Sequence, residues 1–201
     1  MVLKSDNFDD NSRDASFWDL LSSAGGSANE VNQRLELVCL TSAGIAGYVT
    51  KDAHDLTECD ITIDVEHTSL HSLELFLSLT KQQAANPYFE SDWYRIMKYN
   101  LTNECYVQRR IAGVPTVLYN GAWTGASGSL RIVISGGTIT FYEETIERAS
   151  QSYALGSYNC YVYLYTTAAG GLTGTDIIDN FVVPSDVVVG GATKQYMVMT
   201  L

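Results

Sequence analysis

Near its start the chain reads Asp6-Asn-Phe-Asp-Asp10, with Phe17-Trp18 shortly after, and near its other end it reads Thr175-Asp-Ile-Ile-Asp-Asn-Phe181. Both segments combine acidic and aromatic residues, and strand-like sequence fills the chain between them. Two such segments at opposite ends predict that the first and last strands lie side by side and close one β-sandwich. This pairing is the feature that decides the fold.

Alternation of apolar and polar residues dominates the sequence between the two segments. In Cys59-Asp-Ile-Thr-Ile-Asp-Val-Glu66, for example, every second side chain is apolar, which is typical of a strand with one buried face. Gly136-Gly137 between two alternating runs predicts a two-residue hairpin, since such turns need positive φ angles. Segments 14–21 and 144–152 are compatible with a turn or two of helix. Many short strands without a long amphipathic helix predict an all-β, two-sheet antiparallel sandwich.

A length of 201 residues fits one domain, which we place at residues 1–183. Pro184 ends the last strand of this domain, and residues 184–201 form a separate apolar, strand-prone extension. An exposed apolar strand needs a partner surface, so we expect the extension to pack on its own domain or to act as a docking arm on a neighbouring subunit.

The charge of the chain excludes some partners. Twelve Lys and Arg stand against 23 Asp and Glu, a net charge of −11, whereas nucleic acids and anionic membranes bind basic surfaces. The first residues lack the apolar core of a secretion signal, and no apolar run is long enough to span a bilayer. We therefore expect a protein made in a host cytoplasm, with release inside a virion as one route outward. The four cysteines lack metal-site spacing and predict buried, reduced thiols.

Three segments carry a resemblance to a known family: Asp6–Asp10 with Trp18, Gly128–Tyr142, and Ile178-Asp-Asn-Phe181. Together they resemble the concanavalin A-like lectin/glucanase domain, a LamG-like jelly roll. The resemblance implies two curved antiparallel sheets. It implies no single activity, because this fold serves lectins, hydrolases, and virion and adhesion modules.

Acidic residues of the two end segments become neighbours if the terminal strands pair: Asp9, Asp10, Asp176 and Asp179. Several hard oxygen ligands in an irregular arrangement suit Ca²⁺. Related sandwiches often hold a structural calcium where the first and last strands meet, and Asp179 resembles the matching ligand. We therefore expect a structural Ca²⁺ with Asp9 and Asp179 as ligands. The alternative is that Asp179-Asn180 only ends a turn.

A second acidic set lies on one predicted strand. Asp60, Asp64 and Glu66 have even spacing and share one strand face, and carboxylates two residues apart are separated by about 7 Å, close to the separations that glycosidases use. Asp64 and Glu66 are thus candidate catalytic residues. The segment departs from the Glu-x-Asp-x-x-Glu strand of the family's glucanase branch, and solvated surface carboxylates are the alternative.

Aromatic residues supply a candidate carbohydrate site. Tyr161, Tyr163 and Tyr165 share one face of a strand, and Trp93 and Trp123 are further candidates. An aromatic ring covers the apolar face of a pyranose while a tyrosine hydroxyl forms hydrogen bonds. The alternative is that the row packs against neighbouring strands.

These observations together predict a noncatalytic sandwich module that works as a virion surface or assembly protein, such as a capsid decoration or tail-associated subunit. It would contact neighbouring subunits and glycans. The absence of a secretion signal, the acidic body and the apolar extension favour this hypothesis. One alternative is a glycoside hydrolase or polysaccharide lyase, and another is a free lectin.

Overall fold

The computed structural model describes residues 3–23, 25–41, 44–67, 73–83, 87, 90–99, 102–124, 127–155, 159–168 and 174–183. The predicted docking arm, residues 184–201, lies outside the described residues, so its packing stays a prediction. Within the described ranges, no helix is long and apolar enough to cross a membrane.

All regular structure in these ranges is extended, as the alternating pattern predicts. The strands are Trp18–Ser23 (β1), Gly26–Val31 (β2), Arg34–Cys39 (β3), Ile45–Thr50 (β4), Cys59–His67 (β5), Leu73–Thr80 (β6), Trp93–Tyr99 (β7), Glu104–Ile111 (β8), Val114–Ala122 (β9), Ser127–Ser135 (β10), Thr138–Glu143 (β11), Ile146–Ser152 (β12), Tyr161–Ala168 (β13) and Gly174–Val182 (β14).

The strands form two antiparallel sheets of seven strands each. One sheet has the order β1-β4-β13-β6-β7-β8-β9, and the other has the order β12-β11-β10-β5-β14-β3-β2. In each sheet three of the six neighbouring strand pairs are not consecutive in sequence, which is the connectivity of a jelly roll rather than of a simple meander. The predicted all-β, two-sheet sandwich is confirmed.

Strand β5 shows how the alternating pattern builds the core. Ile61, Ile63 and Val65 point between the sheets and are at most 3% exposed, whereas Asp60 and Asp64 lie on the outer face. Removing the apolar side chains from water stabilises the sandwich by about 25 cal/mol per Å² of buried apolar area. The outer face is left free for polar chemistry.

The two ends of the described chain meet, as the end segments predict. Asp6 N donates to Phe181 O at 2.8 Å in an isolated antiparallel bridge. The indole of Trp18 packs edge-on against Phe181 with ring centroids 5.1 Å apart, and its Nε1 donates to Asp6 Oδ2 at 2.8 Å. Backbone pairing and a buried aromatic cluster therefore hold β14 in place.

The predicted Gly136-Gly137 hairpin is confirmed. Both glycines have positive φ, +57° and +74°, and Ser135 pairs with Thr138 across the turn.

The two short helices predicted at 14–21 and 144–152 are wrong, because these segments contain β1 and β12. Trp18 to Ser23 pair in register with β4, and the backbone hydrogen bonds and packing of that ladder outweigh a weak local helix preference.

Charged side chains also lie between the sheets. Glu143 is fully buried. Arg148 Nε donates to its Oε2 at 2.9 Å, and the Thr124 backbone N–H and hydroxyl both donate to its Oε1 at 2.7 Å. Burial lowers the pKa of Lys98 to about 8, although the charges of Asp176 and Glu143 raise it. The four cysteines are buried free thiols, as predicted.

Truncating Phe181 tests the role of the terminal junction. We expect Phe181→Ala to lower the free energy of unfolding by about 3–5 kcal/mol, because it leaves a cavity beside Trp18. Its neighbour Val182 is 42% exposed, so Val182→Ala serves as a control with an expected change within about 0.5 kcal/mol. Urea denaturation followed by Trp fluorescence measures both, and equal losses in the two variants would contradict the role of this junction.

Candidate functional site

An open cleft lies on the outer face of the sheet that contains β5 and β14. Its volume is about 660 Å³. Carboxylates are the most frequent charged groups in its lining. The full lining comprises Asp9, Asn32, Gln33, Arg34, Asp64, Val65, Glu66, Gly128, Ser129, Glu144, Ile177 and Asp179.

Asp64 and Asp179 lie opposite each other in the antiparallel ladder of β5 and β14. Side chains in such a pair point to the same face, with Cβ atoms about 4.5–5.5 Å apart. The ladder register shifts between Asp179 and Val182 because of an irregularity at Asn180, which has a φ of +47°. Bulges of this kind re-aim a side chain, and Asn tolerates the positive φ better than most residues.

Asn180 also links the two carboxylates. Its side-chain amide donates to Asp64 Oδ2 at 3.0 Å, and its backbone N–H donates to Asp179 Oδ1 at 2.8 Å. The bulge residue therefore holds both carboxyl groups in a defined arrangement.

The surroundings of Asp179 in the cleft change its pKa. Burial raises the pKa of Asp179, and the negative charges of Asp64 and Asp9 raise it further, whereas the Asn180 N–H and Arg34 lower it. Two nearby carboxylates disfavour simultaneous ionisation, so Asp179 is the group of this pair that is suited to hold a proton.

Glu66, the other sequence-predicted catalytic candidate, lies two residues from Asp64 on the same outer face. Its Oε2 is 3.6 Å from an Arg34 guanidinium nitrogen, and Arg34 also contacts Glu36 at 3.3 Å. Both partners in the Glu66–Arg34 pair are well exposed, so this contact positions side chains more than it stabilises the fold.

Sequence reasoning missed Arg34, Gln33, Ser129 and Glu144 as cleft residues. They belong to turns and strands that only the sheet order brings to β5. Gly128 allows the approach of Glu144, because a Cβ at position 128 would lie 2.8 Å from Glu144 Oε1. The only one of these positions with a local sequence signal is Gln33, because Asn32 before it favours a turn, and both residues have positive φ in the structure.

The predicted calcium ligands are only partly brought together. Asp9 and Asp179 line the same cleft, but Asp176 is fully buried and accepts a hydrogen bond from Thr166 at 2.6 Å. Across the part of the chain that the structure describes, no group of three or more His, Cys, Asp or Glu side chains is placed to hold a metal ion. Since Ca²⁺ takes six to eight oxygen ligands, these residues alone do not fit it, and the calcium expectation stays a prediction.

The predicted aromatic platform is largely inaccessible. Tyr163 and Tyr165 are fully buried on the outer face of their sheet, and Trp93 and Trp123 are 3% and 4% exposed. A buried ring presents no face to a sugar. Only Tyr161 is partly exposed, so the platform stays a prediction that rests on this ring.

The cleft thus combines a carboxyl group suited to hold a proton with a second carboxylate opposite it, on an open surface. This arrangement is able to give a proton to one side of a bond and to place an anion on the other.

Solved structures provide the comparison with known proteins. The laminarinase catalytic domain from Thermotoga maritima MSB8 matches with a TM-score of 0.70 and 11% identity, over 91% of this chain and 97% of that chain. An endo-1,3-beta-glucanase (laminarinase) from Thermotoga petrophila RKU-1 matches with a TM-score of 0.67 and 12% identity, over 91% and 96%. The carbohydrate-binding module CBM66 from Bacillus subtilis matches with a TM-score of 0.59 and 8% identity, over 85% and 96%. No family model and no curated protein sequence matches the chain.

These comparisons contradict the prediction of a noncatalytic virion surface or assembly protein. The similar structures are mostly named as enzymes that cleave glycans, so they favour the alternative of a glycoside hydrolase. The sequence clues to a virion were the absence of a secretion signal, the acidic body and the apolar extension, and none of them depends on that setting. At identities of 8–13% the likeness establishes the architecture, and the whole described sandwich matches it. The protein has the concanavalin A-like jelly-roll fold, which it shares with these glucanases and this carbohydrate-binding module.

Proposed function

We propose that this domain hydrolyses glycosidic bonds of a polysaccharide at the cleft between β5 and β14. The observation that carries the proposal is the placement of Asp64 and Asp179 opposite each other, with the pKa of Asp179 raised by burial and by its acidic neighbours. Most glycosidases use two carboxyl groups, one protonated and one ionised.

The roles follow from these properties. Asp179 donates its proton to the glycosidic oxygen, while Asp64 attacks the anomeric carbon, so that the C–O bond to the leaving sugar breaks as the bond to Asp64 forms. Asp179, now ionised, then takes a proton from a water molecule, which displaces Asp64 from the anomeric carbon. Asn180 is a positioning residue, because it donates hydrogen bonds to both carboxyl groups.

The substrate class is a neutral or weakly charged polysaccharide. The cleft is open, so it suits the interior of a chain rather than only its end, and its carboxylates would repel a strongly anionic polymer. Several similar structures are named as glucanases or laminarinases, which makes β-1,3-glucan and mixed-linkage glucan the first substrates to test.

Isosteric amide substitutions test the two carboxyl groups. We expect Asp179→Asn to lower kcat/KM by about 10²–10⁴-fold, the usual contribution of a general acid, and Asp64→Asn to reduce turnover to background because an amide does not form the glycosyl ester. Release of reducing ends from a panel of glucans measures this.

Asp60→Asn is the matched control, because Asp60 lies on the same face of β5 but pairs with Arg131 at 2.6 Å, outside the cleft. It should retain activity. If wild type and all three variants bind glucan yet release no products, the domain is a carbohydrate-binding module, which the likeness to CBM66 favours as the second candidate function.

The configuration of the first product identifies the catalytic pair. Carboxylates about 5–5.5 Å apart give retention through a covalent intermediate, and a separation of about 6.5–9.5 Å gives inversion through a direct attack by water. The cross-strand register of Asp64 and Asp179, with Cβ atoms about 4.5–5.5 Å apart, favours the first class, whereas Asp64 and Glu66, about 7 Å apart along one strand, favour the second. We expect retention when the anomers are followed by proton NMR, and inversion would transfer the role from Asp179 to Glu66.

A further inference from the structure

A second cavity of about 500 Å³ lies at the open edge of the sandwich, where the edge strands β1 and β2 of the two sheets approach each other. It shares no lining residue with the proposed catalytic cleft. Its lining mixes apolar and polar groups: Asn11, Arg13, Leu20, Ala28, Asn29, Glu30, Val31, Glu36, Val38 and Tyr48.

Glu30 is the unusual residue of this cavity. Its side chain points inward from edge strand β2, and the residue is only 6% exposed. Oε2 accepts a hydrogen bond from Ser12 N at 3.1 Å, and the same N–H donates to Asp10 Oδ1 at 2.9 Å. Oε1 is buried and has no close hydrogen-bond partner, although the Tyr48 hydroxyl is near enough to the carboxyl group to lower its pKa. A buried acceptor without a donor is costly, which indicates that something else supplies one.

The charged groups around Glu30 favour the binding of a cation. Burial and the negative charges of Asp6 and Asp10 together raise the pKa of Glu30 to about 7, although the Tyr48 hydroxyl lowers it. Arg13 lines the cavity, but its Nη1 donates to Trp18 O at 3.2 Å. Glu36 also lines the cavity but pairs with Arg34 at 3.3 Å, so the excess negative charge near Glu30 comes from Asp6 and Asp10.

We propose that this cavity binds the ammonium group of a free amino sugar, with Glu30 Oε1 as its principal acceptor. An ammonium group combines the missing donor with the missing positive charge, and it forms up to three hydrogen bonds. Asn11 and Asn29 offer amides to sugar hydroxyls, and Leu20, which is 50% exposed, offers an apolar contact to the ring.

A metal ion fits this cavity less well, because no three metal-binding side chains converge anywhere in the described ranges. The choice of a saccharide as the carrier of the amine rests on the proposed function. The site would hold a partly deacetylated polysaccharide while the cleft acts elsewhere along the same chain.

Isothermal titration calorimetry at neutral pH tests the proposal with three probes: a fully deacetylated glucosamine trimer, its N-acetylated form and a glucose trimer. We expect the wild type to bind the deacetylated trimer at least about tenfold more tightly than the other two, a difference of about 1.4 kcal/mol. Glu30→Gln should abolish this preference. Glu147→Gln, the same chemical change at an exposed residue of β12 that lines neither cavity, should leave the preference intact.

Three results would overturn the proposal: equal affinity for the amine and its N-acetylated form, a preference that survives Glu30→Gln, or Glu30-dependent binding of Ca²⁺ without binding of the amine. If Glu30→Gln does not fold, the buffer dependence of the binding heat of the wild type tests the proposal instead. Below the pKa of Glu30, amine binding displaces its proton, so the binding heat should depend on the ionisation enthalpy of the buffer, and a buffer-independent heat would also refute it. Hydrolysis by the cleft is unaffected by any of these outcomes, so the two proposals fail separately.

The pH dependence of stability provides a check on Glu30 without ligand. Its pKa in the folded state, about 7, lies above the ordinary value of 4.5, so the folded protein binds the extra proton between these values. The stabilisation is fully present below the unfolded-state pKa and is lost as pH rises through the folded-state pKa. We expect the Tm of the wild type to fall relative to that of Glu30→Gln between about pH 5 and about pH 8. Parallel Tm curves in differential scanning fluorimetry would show that Glu30 does not titrate in this range.

Discussion

The junction between the two ends of the chain is the constraint on which the rest of the structure depends. The Asp6–Phe181 bridge and the buried Trp18 ring fix the final strand, β14, between β3 and β5. Without that placement Asp179 would not face Asp64, and the cleft would lose one of its two central carboxyl groups. The same segment of chain continues from Asp6 to Asp10 and Ser12, which contact Glu30. Both proposed sites therefore lie beside this junction. Asp9 and Asp179 line the cleft, whereas Asp6 and Asp10 lie near Glu30.

The two faces of the β5 strand divide the tasks of stability and chemistry. The inward isoleucines belong to a core that tolerates little change, because close-packed interiors respond to the loss of a single methylene. The outward carboxylates do not pack in the core. Asn180 donates a hydrogen bond to Asp64, and Arg34 forms an ion pair with Glu66. A sandwich of this design can change its surface chemistry without changing its core, which is consistent with one fold serving both glucanases and carbohydrate-binding modules.

The tyrosine row of β13 shows that an alternating pattern does not by itself identify a binding site. An alternating Tyr161, Tyr163 and Tyr165 row satisfies the requirements of a sugar platform and of sheet packing equally well, and two of the three rings are fully buried. Tyr165 stacks on Phe76 with ring centroids 4.5 Å apart, so its apolar surface is already in use. Both proposed sites depend instead on carboxyl groups, and burial and neighbouring negative charge raise the pKa of Asp179 and of Glu30.

The sequence alone determined the fold class, because a period of two, β-branched residues and glycine turns act locally and leave few alternatives to a β-sandwich. It also determined that the ends meet, since matched acid-aromatic segments have no other partner of the same kind. It indicated Asp64 and Glu66, which share a face by strand geometry alone. Only the tertiary structure decided that Asp179 lies opposite Asp64, that Asp176 turns into the core and that Glu30 is buried without a donor for Oε1. Those facts depend on sheet order, a bulge at Asn180 and burial, which arise from contacts between residues far apart in the chain and therefore leave no local pattern.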